Sequence, residues 1–332
     1  MVHRILLRRA LSVRLVLAAS LVALGASFGA SDAAPLQKVS MSFSQKNVDF
    51  LPIDAAVDAG YFKQHGIDAD VHYFPAQEGI PALVAGQVQI AGIGGSDAVS
   101  AQAAGAKLKL VMSFSPINVF QFWARPQYAS AKALKGQRVG ITSTTGSLYT
   151  ATLLALKALD LTTSDVVITP LGGIVNVNNS LIAGSIAAAA SHPPATYRFN
   201  RAGFADLVDL VKKKIPSVSA GVWVPAVYIE THRATVQNVV DALAETLHRM
   251  RTDRAFTEEE ITKHLGIKDK AELDFTYEFY ANDIFSLGAM PEIAQIQSDK
   301  DWLAAGNSKV KTVNVADMID QSFLKNVQNN KQ

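Results

Sequence analysis

The alternation of strand-like and helix-like segments constrains the fold of this chain more than any other feature. Between residues 38 and 229, short β-prone runs are followed repeatedly by segments whose apolar residues recur at helical spacing. Such alternation is typical of a mostly parallel sheet with helices on both faces. The sequence therefore predicts an α/β fold.

The pattern occurs twice, which predicts two similar lobes. We expect strands at residues 39–44, 67–74, 88–93, 108–114 and 119–124 in the first unit, and at 138–141, 166–170, 186–190 and 207–211 in the second. Helices are expected at 52–66, 77–85, 98–104, 148–159, 177–184 and 196–201, and after residue 236 at 236–250, 257–265, 271–285, 291–304 and 315–327. The acidic run 258–260 is interpreted as a solvated helix start.

Two linking segments are predicted between the lobes, at residues 119–124 and at the extended run 222–229. Lobe 1 would then comprise residues 34–121 and 225–332, and lobe 2 residues 122–224. Two links make a hinge, and the loops at the carboxyl ends of the strands would line the cleft between the lobes.

The first 33 residues have the composition of a secretory signal peptide. Four arginines precede an apolar run from residue 15 to about residue 26, and Ser31 and Ala33 provide the small side chains of a cleavage site. We predict cleavage near Ala34 and export to the periplasm. An uncleaved anchor is the alternative, although the run is shorter than the roughly 20 residues that span a bilayer.

Composition and missing motifs exclude several functions. Without residues 1–33 the chain loses four arginines and Asp32, so its formal charge changes from +2 to −1, and no electrostatic footprint for nucleic acid remains. Cysteine is absent, which excludes disulfides, thiolate-bound metals and a lipid-modified cysteine. Phosphate-loop, zinc-protease and serine-hydrolase motifs are missing, and the histidines are scattered singly. We therefore expect no enzyme activity, no cofactor and no metal site.

Residues 137–161 combine a strand, a hydroxyl-rich loop and a helix. Thr144, Thr145, Gly146 and Ser147 place hydroxyl groups and free backbone N–H groups at the helix start. A helix N-terminus carries about half a positive charge, so this loop is suited to an anion without any arginine or lysine. Ordinary capping without a ligand is the alternative interpretation.

Other polar loops follow other strands and are predicted to face this one across the cleft. The full set of predicted ligand-binding residues is Ser44, Gln45, Asn47, Phe50, Gly95, Ser96, Asp97, Thr144, Thr145, Gly146, Ser147, His192, Pro193 and Trp223. Phe50 and Trp223 are expected to supply an apolar wall. Asp97 is interpreted either as an acid in the first turn of a helix or as the partner of a ligand ammonium group.

Three segments resemble one known family. PIDAAVDAGYFKQHGIDADV, GQVQIAGIGGSDAVSAQAAG and AAAASHPPATYRFNRAGFADL are similar to segments of the periplasmic solute-binding proteins that serve nitrate, sulfonate and taurine importers, with relatives that bind thiamine-pyrimidine precursors. The resemblance extends from about residue 38 to residue 327. Fungal enzymes of this superfamily carry a cysteine-rich motif, and the absence of cysteine argues against that branch.

The resemblance implies a two-lobed periplasmic binding protein fold of type II. It implies the substrate-binding component of an ABC importer, a monomer that captures a small organic anion such as a sulfonate, taurine or a carboxylate and delivers it to a permease in the inner membrane. A heteroaromatic or cationic ligand, or service to a sensor, is the alternative, and a secreted enzyme is the third possibility. The ligand loops that the resemblance implies are residues 44–50, 95–97, 144–147 and 192–193.

Overall fold

Two five-stranded sheets organise the structure, a computed structural model that describes residues 35–304 and 307–329. The predicted signal peptide lies outside the described residues. The strands are β1 (Gln37–Phe43), β2 (Ile67–Tyr73), β3 (Ile90–Ile93), β4 (Leu108–Ile117), β5 (Gln121–Ala124), β6 (Arg138–Ile141), β7 (Val167–Pro170), β8 (Ala188–Ser191), β9 (Ala205–Asp209) and β10 (Pro216–Pro225). The first sheet has the order β2-β1-β3-β10-β4 and the second the order β7-β6-β8-β5-β9.

Helices follow most of the strands, as the sequence pattern predicts. They are α1 (Leu51–Asp58), α2 (Tyr61–Gln64), α3 (Ala76–Val84), α4 (Gly95–Ala103), α5 (Ala131–Leu134), α6 (Ser147–Ala158), α7 (Ile174–Ala183), α8 (Ala195–Arg201), α9 (Ala226–Thr252), α10 (Arg254–Leu265), α11 (Lys270–Glu278), α12 (Ile293–Ala304) and α13 (Ser322–Asn329). Short 3₁₀ or π turns lie at Pro126–Tyr128, Thr163–Asp165, Phe279–Ile284, Phe285–Leu287, Ser308–Thr312 and Val315–Met318. Among the described residues, no helix has both the length and the apolarity that crossing a membrane requires.

The two sheets share one topology. In each sheet four strands run in one direction, and the fifth, which enters from the other half of the chain, pairs antiparallel with its two neighbours. β5 follows β4 directly but lies in the second sheet, and β10 follows β9 but lies in the first. The two halves of the molecule are therefore connected by the short segments 118–120 and 210–215.

The connecting segments run side by side and are hydrogen-bonded to each other. The Asn118 N–H donates to the Ile215 carbonyl at 2.9 Å, and the Leu210 N–H donates to the Phe120 carbonyl at 3.1 Å. A pair of short bonded segments between two packed halves is the geometry of a hinge. The lobe boundaries predicted at residues 121 and 224 stay a prediction, and the strand pairing favours a second boundary near residue 215.

Some sequence expectations differ from the structure. The run 222–229 is not a crossing, because residues 222–225 belong to β10 and α9 begins at Ala226. The predicted helix 52–66 divides into α1 and α2 at Gly60, whose φ of +74° lies in the left-handed region. The solvated interpretation of the run 258–260 is wrong for Glu260, which is only 4% exposed. The apolar stripe of α9, from Val236 to Met250, is buried as its spacing predicts.

Candidate functional site

A cavity of about 140 Å³ lies between the two sheets, where the loops that follow five parallel strands converge. β1, β2 and β3 end toward it from the first sheet, and β6 and β7 from the second. Its lining residues are Ser44, Gln45, Lys46, Tyr73, Pro75, Ala76, Gln77, Asp97, Thr142, Ser143, Gly172, Gly173, Ile174, Val175 and Asn176. The carboxyl ends of parallel strands are the usual ligand position in open α/β sheets.

Polar atoms without a partner mark this cavity. Ser44 is 6% exposed, and neither its hydroxyl nor the side-chain oxygen of Gln45 has a hydrogen-bond partner in the described part of the chain. A buried polar group without a partner costs free energy, so most such groups in proteins are paired. Both atoms belong to residues that line the cavity, and a bound molecule would supply the missing partner.

The N-terminus of α7 also lies at the cavity. α7 begins at Ile174 after Gly173, and its first turn contains no acidic residue. The first N–H groups of a helix have no partner within the helix and attract negative charge. Asn176 adds a side chain in the same turn, and its amide donates to the Leu171 carbonyl at 2.9 Å.

Two charged side chains of opposite sign line the cavity. Lys46 is exposed, and its ammonium lies 5.2 Å from the ring centre of Tyr73. Asp97 is 4% exposed, and burial raises its pKa to about 6, opposed by the hydrogen bond that the Thr145 hydroxyl donates to Asp97 Oδ1 at 3.0 Å. Because this pKa lies below 7, the Asp97 carboxylate is mostly ionised at neutral pH.

The predicted anion loop, residues 144–147, does not line this cavity. Thr145 binds Asp97, and the Ser147 hydroxyl, 1% exposed, faces the Ser219 carbonyl at 3.5 Å. Thr144 is exposed and, with Thr145, borders a separate groove beside Trp302. The position that the sequence assigns to a ligand anion is therefore next to a carboxylate of the protein itself.

Gly95 and Ser96 are closed off by similar packing at the start of α4. The Ser96 and Thr150 hydroxyls are hydrogen-bonded at 2.7 Å. A Cβ atom added at Gly95 would lie 2.2 Å from Asp299 Oδ2, so only glycine allows this approach. Gly146, the N-cap of α6, has its N–H bonded to the Ser143 hydroxyl at 3.3 Å.

Asn47, His192 and Pro193 meet in a buried polar network that joins the two halves of the molecule. Asn47 Nδ2 lies 3.3 Å from His192 Nε2, and the Pro193 carbonyl lies 2.8 Å from His192 Nδ1. The Tyr280 hydroxyl donates to Asp49 Oδ2 at 3.0 Å and lies 2.9 Å from His192 Nδ1. Burial, together with the Asp49 carboxylate, raises the pKa of Tyr280 well above 10. This network does not line the cavity, and we infer that it fixes how the strand-end loops meet.

Phe50 and Trp223 do not form the expected apolar wall of the cavity. Trp223 belongs to β10 of the first sheet and is fully buried, and its indole N–H donates to the Ile93 carbonyl at 3.1 Å. Phe50 is 1% exposed and packs in the main core. Sequence reasoning placed both near the cleft because it cannot tell which face of a strand or helix start a ring occupies.

Several lining residues were absent from the sequence-based set. These are Lys46, Tyr73, Pro75, Ala76, Gln77, Thr142, Ser143 and residues 172–176. All of them except Tyr73, the last residue of β2, follow the ends of predicted strands, so the strand-end rule was a signal that could have found them. Asp49 of the buried network lies in the implied loop 44–50, whereas Tyr280 carried no comparable signal, because a single tyrosine in a helical region is common.

The fold and this cleft define a class of protein: two α/β halves joined by a hinge, with a small polar cavity between them, as in periplasmic binding proteins. The predicted α/β, two-lobed fold is confirmed. The chain belongs to the NMT1/THI5-like family, whose model matches residues 47–253. No curated protein matches the chain significantly.

Solved structures share this fold at low sequence identity. The chain is similar to the alkanesulfonate-binding protein SsuA from Xanthomonas axonopodis pv. citri bound to MOPS, with a TM-score of 0.69 and 18% identity over 87% of this chain and 99% of that one. It is also similar to the periplasmic aliphatic sulphonate-binding protein SsuA from Escherichia coli, with a TM-score of 0.69 and 19% identity over 86% and 92%. The desulfurization enzyme DSZB has a TM-score of 0.63 and 18% identity over 89% and 100%. The resemblance to sulfonate-, nitrate- and taurine-type binding proteins is confirmed, and at these identities the structures show the fold alone.

Proposed function

We propose that this protein is the substrate-binding component of an ABC importer and captures a small organic anion between its lobes. The unpartnered Ser44 hydroxyl and Gln45 side-chain oxygen at the cavity carry the proposal. The protein would be exported to the periplasm, bind as a monomer and present the closed form to a permease in the inner membrane.

The chemistry of the cavity supports an anionic ligand. The Ser44 hydroxyl is a donor, Lys46 is the exposed cation of the lining, and the acid-free first turn of α7 adds backbone N–H groups. A cavity of about 140 Å³ holds a compact molecule, since an engineered cavity of about 150 Å³ accommodates benzene. A short sulfonate or carboxylate satisfies both the size and the donors.

The hinge supports capture by closure. The lining comes from both halves, and the two connecting segments at residues 118–120 and 210–215 are the only covalent links between the sheets in the described range. A ligand that contacts both halves binds the closed form better than the open form and so shifts the equilibrium toward it. Closure then reports ligand binding to the transporter.

The experiment is a thermal-shift and calorimetric panel of short sulfonates, taurine, carboxylates, nitrate, amines and pyrimidines on the purified protein. A ligand at 100 times its Kd is expected to stabilise the protein by about 2.7 kcal/mol. X-ray scattering of the saturated sample should give a smaller radius of gyration. A panel in which no sulfonate, carboxylate or nitrate binds would contradict the anion proposal.

A cationic or heteroaromatic ligand is the second candidate, and Asp97 favours it. This carboxylate lines the cavity and is mostly ionised at neutral pH, so it repels an anion and attracts an ammonium or a protonated ring. Taurine-like zwitterions lie between the two classes. Pyrimidines and amines in the same panel decide between the candidates.

Binding without turnover is also part of the proposal. The desulfurization enzyme shares the fold, so fold alone does not separate binding from catalysis. The SsuA proteins, which are named for binding, support the binding role. Mass spectrometry of each ligand after prolonged incubation should recover it unchanged, and a new product would favour the enzyme.

A further inference from the structure

A cluster of ionisable side chains lies between α1 and α10, and none of its members lines the cavity of about 140 Å³. Glu260 and His264 are four residues apart on α10, so they share one face of that helix. Asp58, the last residue of α1, meets them from the neighbouring helix. One donor atom from each of the three residues lies within 4.8 Å of the other two.

The geometry converges on His264 Nε2. This nitrogen lies 2.5 Å from Asp58 Oδ2 and 3.4 Å from Glu260 Oε2. The other ring nitrogen lies 3.7 Å from Asp54 Oδ2. This second contact is an ion pair beyond hydrogen-bond distance, on the side of the ring where a carboxylate orients many metal-binding histidines.

Glu260 provides a separate observation that points to a ligand. Its side chain is 6% exposed, and within residues 35–304 and 307–329 its Oε2 atom has no hydrogen-bond partner; its ion-pair contact is the one with His264 Nε2 at 3.4 Å. A buried carboxylate oxygen without a donor is costly. Since Oε2 is one of the three converging atoms, a cation among them would satisfy it.

We propose that Asp58, Glu260 and His264 bind a divalent transition-metal ion of the zinc class. One imidazole nitrogen and two carboxylate oxygens are ligands that Zn²⁺ accepts, and three protein ligands leave a fourth position for water. Two carboxylates also balance the charge of a divalent ion. The metal links α1 to α10.

The Lys263 ammonium is the positive charge that pairs with this cluster when no metal is bound. Its ammonium lies 2.6 Å from Asp58 Oδ2, and its side chain is 54% exposed. A lysine is a point charge on a flexible stem, so it swings into solvent when a metal binds Asp58. Lys263 therefore competes with the metal and lowers its affinity.

Two other histidine–carboxylate pairs provide matched controls. His65 lies 3.2 Å from Glu245, and His72 lies 3.0 Å from Asp70. In neither pair does a second carboxylate converge on the ring among the described residues. These pairs contain the same chemical groups without the geometry of a three-ligand site.

The test is a Zn²⁺ titration of the full protein, purified without tag histidines and stripped with a chelator, against a chromophoric competitor. We expect one ion per chain, an affinity about 10- to 100-fold weaker or more in His264→Gln and in Glu260→Gln, and no change in His72→Gln. Lys263→Met should bind more tightly than the unmodified protein. Circular dichroism confirms that each variant is folded.

If the unmodified protein does not bind one Zn²⁺ ion per chain, the proposed metal site is wrong. So would equal affinity in His264→Gln, whose side chain is exposed enough to replace without unfolding. The ligand panel repeated on the chelated protein separates this site from the cleft, because small-molecule binding there does not depend on the metal.

Discussion

Two pairs of helix N-termini meet between the halves of this molecule. They differ in how many of their polar groups are hydrogen-bonded to other atoms of the protein. α4 and α6 begin against each other, and their hydroxyls and N–H groups bond to protein atoms, as with Ser96 to Thr150 and Thr145 to Asp97. α3 and α7 begin at the cavity beside Ser44 and Gln45, whose polar atoms have no partner in the described structure. We call the first the closed cluster and the second the open cluster.

The comparison teaches what a hydroxyl-rich loop signifies. The closed cluster has the richer sequence, with threonines, serines and glycines in one short run, yet the hydroxyls of Ser96, Thr145 and Ser147 face protein atoms, and the exposed Thr144 borders a separate groove. The open cluster has fewer hydroxyls but retains an unpartnered hydroxyl at Ser44, an unpartnered amide oxygen at Gln45 and a cavity. The site is indicated by unsatisfied polar atoms and not by polar composition.

Two buried acids lie at the closed cluster: Asp97 belongs to α4, and Asp299 of α12 packs against Gly95. The largest expected effect on stability comes from Asp299. Asp299 is 1% exposed and accepts from the Ser217 hydroxyl at 2.7 Å and the Val218 N–H at 3.0 Å. Burial and, to a lesser degree, the nearby Asp97 raise its pKa from 3.8 to about 7, despite both hydrogen bonds. Between these values the folded state holds a proton that the unfolded state releases, so stability is greatest below 3.8 and falls as pH rises through about 7.

Asp299→Asn should remove this pH dependence. The difference of about three pH units at about 1.4 kcal/mol per unit amounts to about 4 kcal/mol. The variant should therefore gain about 4 kcal/mol relative to the unmodified protein between about pH 4 and pH 7.5, measured by urea unfolding. Asp301→Asn, exposed on the same helix, is the control. Parallel pH profiles for Asp299→Asn and the unmodified protein would mean that the acid is not buried as described.

The open cluster should respond in affinity instead of stability. Ser44→Ala and Gln45→Ala each remove a hydrogen-bonding group to the bound ligand, which costs about 1.5 to 3 kcal/mol when that ligand is charged, or about tenfold to hundredfold in Kd. Unfolding free energy should stay the same or rise, because a buried unpartnered group is lost. Calorimetric titration and urea unfolding measure the two quantities.

Ser113→Ala provides the matched control for these variants. The Ser113 hydroxyl is also buried and unpartnered among the described residues, but Ser113 does not line the cavity. Its loss should leave affinity unchanged. Equal affinity loss in Ser113→Ala would attribute the effect to general packing, and no loss in Ser44→Ala would remove the open cluster from the site.

Much of the fold could be predicted from the sequence because periodicity records burial. The stripe from Val236 to Met250 and the alternating strands reflect contacts with a sheet or core. The sequence could not predict that β5 lies in the second sheet and β10 in the first. A strand that crosses to the other sheet has the same local pattern of apolar residues as a strand that remains in its own sheet. The sequence also predicted one extended run over residues 222–229, whereas β10 ends at Pro225 and a helix follows. The boundary was missed because β-prone residues continue from Val222 to Ile229.

The candidate site was predictable in position but not in detail. Ser44, Gln45 and Asp97 were chosen because they follow strand ends, and all three line the cavity because topology fixes where carboxyl ends lie; their role in binding stays a prediction. Whether a hydroxyl is free or already bonded depends on a distant segment, as Ser147 depends on Ser219. The proposed metal cluster has no histidine pair in its sequence; Glu260 and His264 form a mixed pair at helical spacing, and Asp58 joins them from a distant helix.

Asp97 lies where the closed and open clusters meet, so Asp97→Asn should sharpen the distinction between ligand classes. Removing its charge at neutral pH should raise the affinity for an anion about tenfold and lower that for a cation about tenfold, an effect of about 1.4 kcal/mol. Calorimetry with one sulfonate and one amine from the panel measures both, and Asp301→Asn again controls for surface charge. An Asp97→Asn protein with both affinities unchanged would place the bound ligand away from this carboxylate.

The smallest effects are expected at Thr145 and Ser147, in the closed cluster. Their hydroxyls bond to Asp97 and face the Ser219 carbonyl, so Thr145→Ala and Ser147→Ala should each lower the unfolding free energy by about 1 kcal/mol, the usual net value of one hydrogen bond. Affinity should change less than about threefold, because neither hydroxyl lines the cavity. If these residues instead held the ligand anion, as the sequence suggested, each substitution would weaken binding about tenfold to hundredfold. Measuring ligand affinity by calorimetric titration and stability by urea unfolding therefore distinguishes the two cases. In one, the polar groups at the helix start bond to the protein itself, and in the other they bind the ligand.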